Sequence, residues 1–319
     1  MNVRKLIGNT PTIKINYEYE EKRGSIYTKL EYYNYSGSIK DRIASYILEK
    51  EKENGTLKDG QAIVEVTSGN TGIAFSAMGA LYGHEVHIFM PDWASLERRK
   101  LIEMYGAHVH LVSKEEGGFK KALELAEEFA IENDAYRPLQ FDNKYNVEAQ
   151  YKTTGQEIID TIPDVNAFVS GIGTGGTLMG IGKRLKDNNP DSKIFALEPS
   201  TLSILKMGME EGTHMIEGIG DDFIPGIVNK DLIDDIVLID DLDAINMSKR
   251  IAKEFGLGVG ISSGANFLAS VIMDNEDLKI ATVFPDDNKK YITTKLSEKI
   301  DENPELLSNK VKLIGFEVI

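Results

Sequence analysis

Residues 167–188, AFVSGIGTGGTLMGIGKRLKDN, run from a short apolar segment through a glycine-dense turn into an amphipathic segment without a break. The order reads as a strand over 167–170, a loop over 171–177 and a helix over 174–188. Glycines at 171, 173, 175 and 176 let the backbone close around a phosphate, and the helix N-terminus aims its N–H groups at it. The rival reading is a dinucleotide site, which also needs an acidic ribose ligand on the next strand; Glu198 sits at roughly that distance. The glycine spacing favours a phosphate cradle somewhere within Gly171-Ile172-Gly173-Thr174-Gly175-Gly176-Thr177.

Outward from this stretch the same alternation repeats. Short apolar runs predict strands at 26–30, 62–66, 85–90, 108–112, 167–170, 193–197, 236–239 and 279–284. Helical periodicity falls between them, at 38–53, 71–82, 95–105, 118–133, 146–161, 174–188, 243–255 and 262–273. Strands alternating with helices define an α/β protein with parallel strands. The polar stretch 17–24 reads as a hairpin-like loop, and 301–319 as a separate edge element.

Three further loops stand just ahead of predicted helices. Ligands in open α/β sheets bind at the carboxyl ends of strands, so the placement matters. In Asn34-Tyr35-Ser36-Gly37-Ser38-Ile39-Lys40-Asp41-Arg42, Ser38 can cap the following helix and put Lys40 in its first turn. A lysine there, once desolvated, has a depressed pKa and can form an imine; on this loop alone, a surface lysine in a first helical turn is the better reading. Thr67-Ser68-Gly69-Asn70-Thr71-Gly72 offers N–H groups, hydroxyls and an amide, a natural carboxylate receptor, or else a generic strand–turn–helix corner. Gly260-Ile261-Ser262-Ser263-Gly264-Ala265 can be no more than a tight turn with a serine cap.

Composition narrows the function. A net charge of -15 argues against nucleic-acid partners, whose phosphates are held by clustered Lys and Arg. There is no cysteine, which excludes disulfides, thiolate metal sites and cysteine nucleophiles. No apolar run approaches the length that spans a bilayer, and residues 1–10 lack a signal-peptide core, so a cytoplasmic protein without membrane contact is expected. The five histidines suggest no metal site: His108 and His110 share a strand face without an evident third ligand, and His84 and His87 point to opposite faces.

Taken in order, the four loops resemble the fold-type II pyridoxal-phosphate (PLP) enzymes, in particular the cysteine synthase and cystathionine β-synthase branch. The resemblance runs from Leu6-Ile7-Gly8-Asn9-Thr10-Pro11 to Tyr291-Ile292-Thr293-Thr294. Between them match Ser95-Leu96-Glu97-Arg98-Arg99, Gln140-Phe141, Tyr151-Lys152-Thr153-Thr154-Gly155, Glu198-Pro199 and Glu217-Gly218-Ile219-Gly220. It implies a two-lobe, tryptophan synthase β-like architecture with parallel or mixed sheets flanked by helices. Residues 35–148 would form the smaller lobe, 1–34 plus 149–319 the larger, with the cofactor between them in a homodimer. It also implies that Lys40 carries pyridoxal 5'-phosphate as a Schiff base and later removes the substrate Cα proton. Residues 173–177 would hold the phosphate, and Asn70 the cofactor's 3′-oxygen. Thr67, Ser68, Thr71 and Gln140 would hold the substrate carboxylate, and Ser262 would face the pyridine nitrogen. A hydroxyl there makes the ring a weaker electron sink than a carboxylate would, favouring departure of a Cβ group over racemisation or transamination.

The chain departs from the family pattern in ways that bear on chemistry. Tyr35 and Gln150 replace a usual proline and histidine, and Phe284-Pro285-Asp286-Asp287-Asn288-Lys289-Lys290-Tyr291 lacks the Gly-Glu-Arg usual in sulfhydrylases. After Gly218-Ile219-Gly220, where sulfhydrylases have small residues, stand Asp221 and Asp222. Asp222 matches the cystathionine β-synthase pattern and is expected to be the acid and base near Cβ, with Asp221 the solvated member of the pair. The expected reaction is β-replacement or β-elimination on a short L-amino acid via an α-aminoacrylate. The preferred version is L-cysteine losing hydrogen sulfide, with water (giving L-serine) or a thiol entering. The alternatives are O-acetylserine sulfhydrylase and, in another class, a catalytically silent paralogue acting as a binding partner.

Overall fold

The computed structural model describes residues 3–209 and 211–319, and all the expected site residues fall within it. Among the described residues, ten strands build two sheets. They are β1 (Thr12–Tyr19), β2 (Lys22–Leu30), β3 (Ile63–Val66), β4 (Val86–Pro91), β5 (His108–Val112), β6 (Ala167–Gly171), β7 (Lys193–Pro199), β8 (Asp235–Ile239), β9 (Ile280–Phe284) and β10 (Lys312–Val318). The larger sheet has the order β10-β1-β2-β9-β6-β7-β8, parallel from β2 to β8, with β1 antiparallel to both β2 and β10. The smaller sheet, β3-β4-β5, is wholly parallel and lies between residues 63 and 112.

The stretch 17–24 is ladder rather than loop. Pairing continues to Tyr19 opposite Lys22, leaving a two-residue turn in which Glu20 and Glu21 both take positive φ, 49° and 65°. That is the geometry whose twist suits a tight hairpin. In β1, Ile13, Ile15 and Tyr17 are buried and alternate with less covered residues, so this strand faces the core on one side. The C-terminal segment supplies β10, the sheet's edge, and buries Leu313 and the preceding Val311.

Central strands are covered on both faces, which explains their unbroken apolar runs. In β6, Ala167 and Val169 point into one core with Ile13, Phe267 and Phe284, while Phe168 points into another with Ile158, Leu178 and Ile194. The helix expected over 146–161 is two helices, Lys144–Lys152 and Thr154–Thr161. At the break the Thr153 hydroxyl donates to the Ala149 carbonyl at 2.7 Å, and its backbone leaves the helical region. No helix of the described residues is long and apolar enough to cross a membrane.

Candidate active site

The glycine- and hydroxyl-rich loops converge because each follows a strand end or opens a helix that packs on the sheets. Helices Lys40–Glu53, Asn70–Tyr82, Gly176–Asn188 and Ile261–Met273 all begin at one cleft, and β6 and β9 end at it. Lys40, Thr67, Ser68, Asn70, Thr71, Gln140, Gly173, Thr174, Gly175, Thr177 and Ser262 line it. Gly176 stands just behind, as the first residue of its helix.

The glycine loop is shaped by close approaches. A Cβ on Gly173 would stand 2.3 Å from the Gly218 carbonyl oxygen, and one on Gly176 1.8 Å from Asn146 Oδ1. Gly175 has φ of +87°, and a Cβ there would meet Val228 at 2.4 Å. The Asn146 amide steadies the loop by donating to Thr174 Oγ1 at 3.0 Å. The dinucleotide alternative fails on Glu198. Its carboxylate accepts the Ser203 hydroxyl at 2.7 Å and the N–H groups of Ile204, Leu205 and Lys206, so it caps a short helix instead.

Around Lys40 the site is polar and enclosed. The Ser38 hydroxyl accepts the Lys40 N–H at 3.2 Å, fixing the lysine in the first turn. Burial pushes the Lys40 ammonium below its ordinary pKa, while the carboxylates of Asp286 and Asp221 pull the other way. Asn70 Nδ2 donates to Asp286 Oδ2 at 2.7 Å, and the Tyr291 hydroxyl donates to the same oxygen at 2.7 Å. Asn70 Oδ1 and Asp286 Oδ1 are buried without a protein partner. On the opposite wall the Thr71 hydroxyl donates to Gln140 Oε1 at 2.6 Å, and Gln140 Nε2 donates to the Val66 carbonyl at 2.7 Å.

The acidic pair is placed the other way round from expectation. Asp221 lines the cleft with Lys40 and reaches the outer groove as well, whereas Asp222 is exposed and lines the outer groove alone, beside Trp93, Lys114 and His214. Burial, then the neighbouring Asp222, raises the Asp221 carboxyl to about 6, against the pull of Lys40. Sequence alone does not say which of the two consecutive aspartates faces the cleft.

Two residues that sequence reasoning left without a role also shape the site. Arg98, buried under Gly69 and stacked on Tyr291 with its guanidinium 4.5 Å from the ring centroid, pairs with Glu217. It ties the smaller sheet's flank to the loop that carries Asp221. Asp286 was visible only as part of a departure from the family pattern, although a carboxylate directly after a strand end and a proline is a usable signal.

A pyridoxal-phosphate dependent enzyme family model matches residues 3–286. The chain belongs to that family. Cysteine synthase of Staphylococcus aureus (strain Mu50) is 40% identical over 303 residues, which cover 92% of this chain and 96% of the relative. The crystal structure of a hydrogen sulfide-producing enzyme from Fusobacterium nucleatum superposes with a TM-score of 0.94 at 47% identity, covering 99% of this chain and 98% of that one. One further structure of that enzyme is an aspartate-to-asparagine variant in complex with an α-aminoacrylate intermediate, with a TM-score of 0.95. Cysteine synthase from Entamoeba histolytica superposes with a TM-score of 0.89 at 35% identity, covering 97% of this chain and 94% of that one. The residues present fit the cofactor: a helix N-terminus with a glycine cradle for its phosphate, an unpartnered buried amide oxygen on Asn70, and a lysine held towards its neutral form.

Proposed function

We propose that this enzyme removes hydrogen sulfide from L-cysteine and adds water, giving L-serine, or a thiol, giving a thioether. The observation that carries the reading is a carboxyl raised to about 6, on Asp221, lining the same cleft as Lys40. Bound there, PLP supplies the electron sink that lets a group leave Cβ of an amino acid. Lys40 would carry the cofactor and move the Cα proton, its lowered pKa favouring the neutral amine that acts as base. Loop 173–177 would hold the phosphate, Asn70 the 3′-oxygen and Ser262 the ring nitrogen. Thr67, Ser68, Thr71 and Gln140 would hold the substrate carboxylate, with Thr71 and Gln140 already joined by a hydrogen bond.

Asp221 takes the role that sequence reasoning proposed for Asp222. Protonated, it can donate to departing sulfide; ionised, it can accept a proton from incoming water or thiol. A pKa of about 6 makes both forms accessible near neutral pH. The likeness to hydrogen sulfide-producing enzymes, one in an Asp-to-Asn variant, supports this version. O-acetylserine sulfhydrylase activity is the second reading, supported by the cysteine synthase relatives. Incubating purified holoenzyme with L-cysteine, L-serine or O-acetyl-L-serine plus sulfide, and identifying products, separates the two. Sulfide release with serine formation from cysteine is expected. Turnover of O-acetylserine alone would sink the preferred version. We further propose a cytoplasmic homodimer, checked by light scattering of the purified chain.

A further inference from the structure

We propose that Glu85, His87 and His108 form a site for a divalent transition-metal ion of the zinc class, at the end of the smaller sheet away from the active-site loops. The parallel register pairs His87 of β4 with His108 of β5. Paired residues emerge on one face, and Glu85 and His110, each two residues along, share it. Strand pairing thus supplies the ligands that spacing along a single strand lacks. Glu85 Oε1 lies 3.2 Å from His87 Nε2 and 3.0 Å from His108 Nε2, and the three ligand atoms lie within 4.8 Å of one another.

A tetrahedral ion with bonds of about 2.0–2.2 Å places its ligand atoms about 3.3–3.5 Å apart, so the carboxylate and imidazoles need separate only slightly. The His87 and His108 rings are stacked, 4.7 Å apart and 18° from parallel, so one must turn for both lone pairs to meet a single point. His108 has a side chain 56% exposed and can turn into solvent. His87 is fixed from behind, its Nδ1 3.1 Å from His110 Nε2. When Nδ1 carries the proton and donates to His110, His87 Nε2 presents a bare lone pair beside the Glu85 carboxylate, an arrangement a cation relieves.

Two nitrogens and one carboxylate favour zinc-like ions over magnesium or calcium. A water from the adjoining groove, lined by Lys58, Gln61 and Asp134 among others, would complete the shell. An ion there would clamp β5, one edge of the smaller sheet, to β4.

The test uses chelator-treated holoenzyme titrated with Zn2+ against a chromophoric competitor, with Co2+ as a spectroscopic probe. One equivalent per chain is expected, with tetrahedral Co2+ bands and a raised Tm. Because His87 packs against Phe129, the variants chosen are the exposed Glu85→Gln and His108→Ala, each expected to weaken Zn2+ binding at least tenfold. Unchanged affinity in both variants, or wild-type binding no tighter than millimolar, would overturn the proposal.

Discussion

At the scale of single residues, the proposed chemistry turns on which of two adjacent aspartates faces inward. Asp221→Asn should retain the cofactor while slowing cysteine-to-serine conversion by roughly a hundredfold or more, the usual weight of a general acid–base group. Asp222→Asn should change the rate by less than about threefold, because its side chain is exposed in the outer groove. With O-acetylserine, whose leaving group needs no proton, Asp221→Asn should lose much less. Comparing both substrates in both variants decides the matter: equal losses for Asp221→Asn on the two substrates would remove Asp221 from proton transfer at Cβ. Gly175→Asp is a second residue-scale test. The new Cβ would collide with Val228 at a φ of +87°, and the carboxylate would repel a bound phosphate. The variant should lose its visible cofactor absorbance on dialysis, and full retention would show that the cradle lies elsewhere.

At the scale of elements, helix Lys40–Glu53 is anchored through Arg42. Its guanidinium donates to Glu31, which follows β2, at 2.6 and 2.9 Å, and to Glu157 of helix Thr154–Thr161 at 2.6 and 2.8 Å. Both members of the Arg42–Glu31 pair are almost fully buried. Arg42→Ala strands a buried carboxylate and should cost about 3–5 kcal/mol in unfolding free energy. Burial opposes ionisation of Glu157, but hydrogen bonding and charge from Arg42, then Lys29, outweigh it and hold the carboxyl at about 2. The folded pKa lies below the unfolded value near 4.5, so this contribution is present above pH 4.5 and is lost as pH falls towards 2. Denaturant unfolding in wild type should therefore weaken across that window, and Glu157→Gln should flatten the dependence. An unaltered pH profile would show that the network contributes nothing differential to folding.

At the scale of the whole molecule, the cleft collects residues from both sheets, so a ligand in it couples them. Removing PLP should lower the Tm, and adding it back at about a thousand times its Kd should restore about 4 kcal/mol of stability. Scanning calorimetry of apo and holo forms measures this directly; identical transitions would mean the cofactor contacts one flank alone.

Strand and helix identities in the interior were legible because buried parallel strands must be apolar and loops that approach an anion closely must be small. That logic located β3, β6 and β9 and the glycine-dense loop 171–177, whereas Lys40 stood out only through the family resemblance. It missed β1, whose half-buried, charge-bearing face gives a weak signal, and placed the edge element of 301–319 without its strand bounds; it also ran one helix through the break at Thr153. The sequence by itself determined which chemistry-bearing loops exist and their order along the chain, since glycine, hydroxyl and lysine types are local properties. Only the tertiary structure decided that Asp221 and not Asp222 turns inward, that Glu198 is spent capping a helix, that Asp286 meets Asn70, and that His87 lies beside His108. Each of those depends on turn geometry or strand register between residues distant along the chain, and no local pattern carries that information.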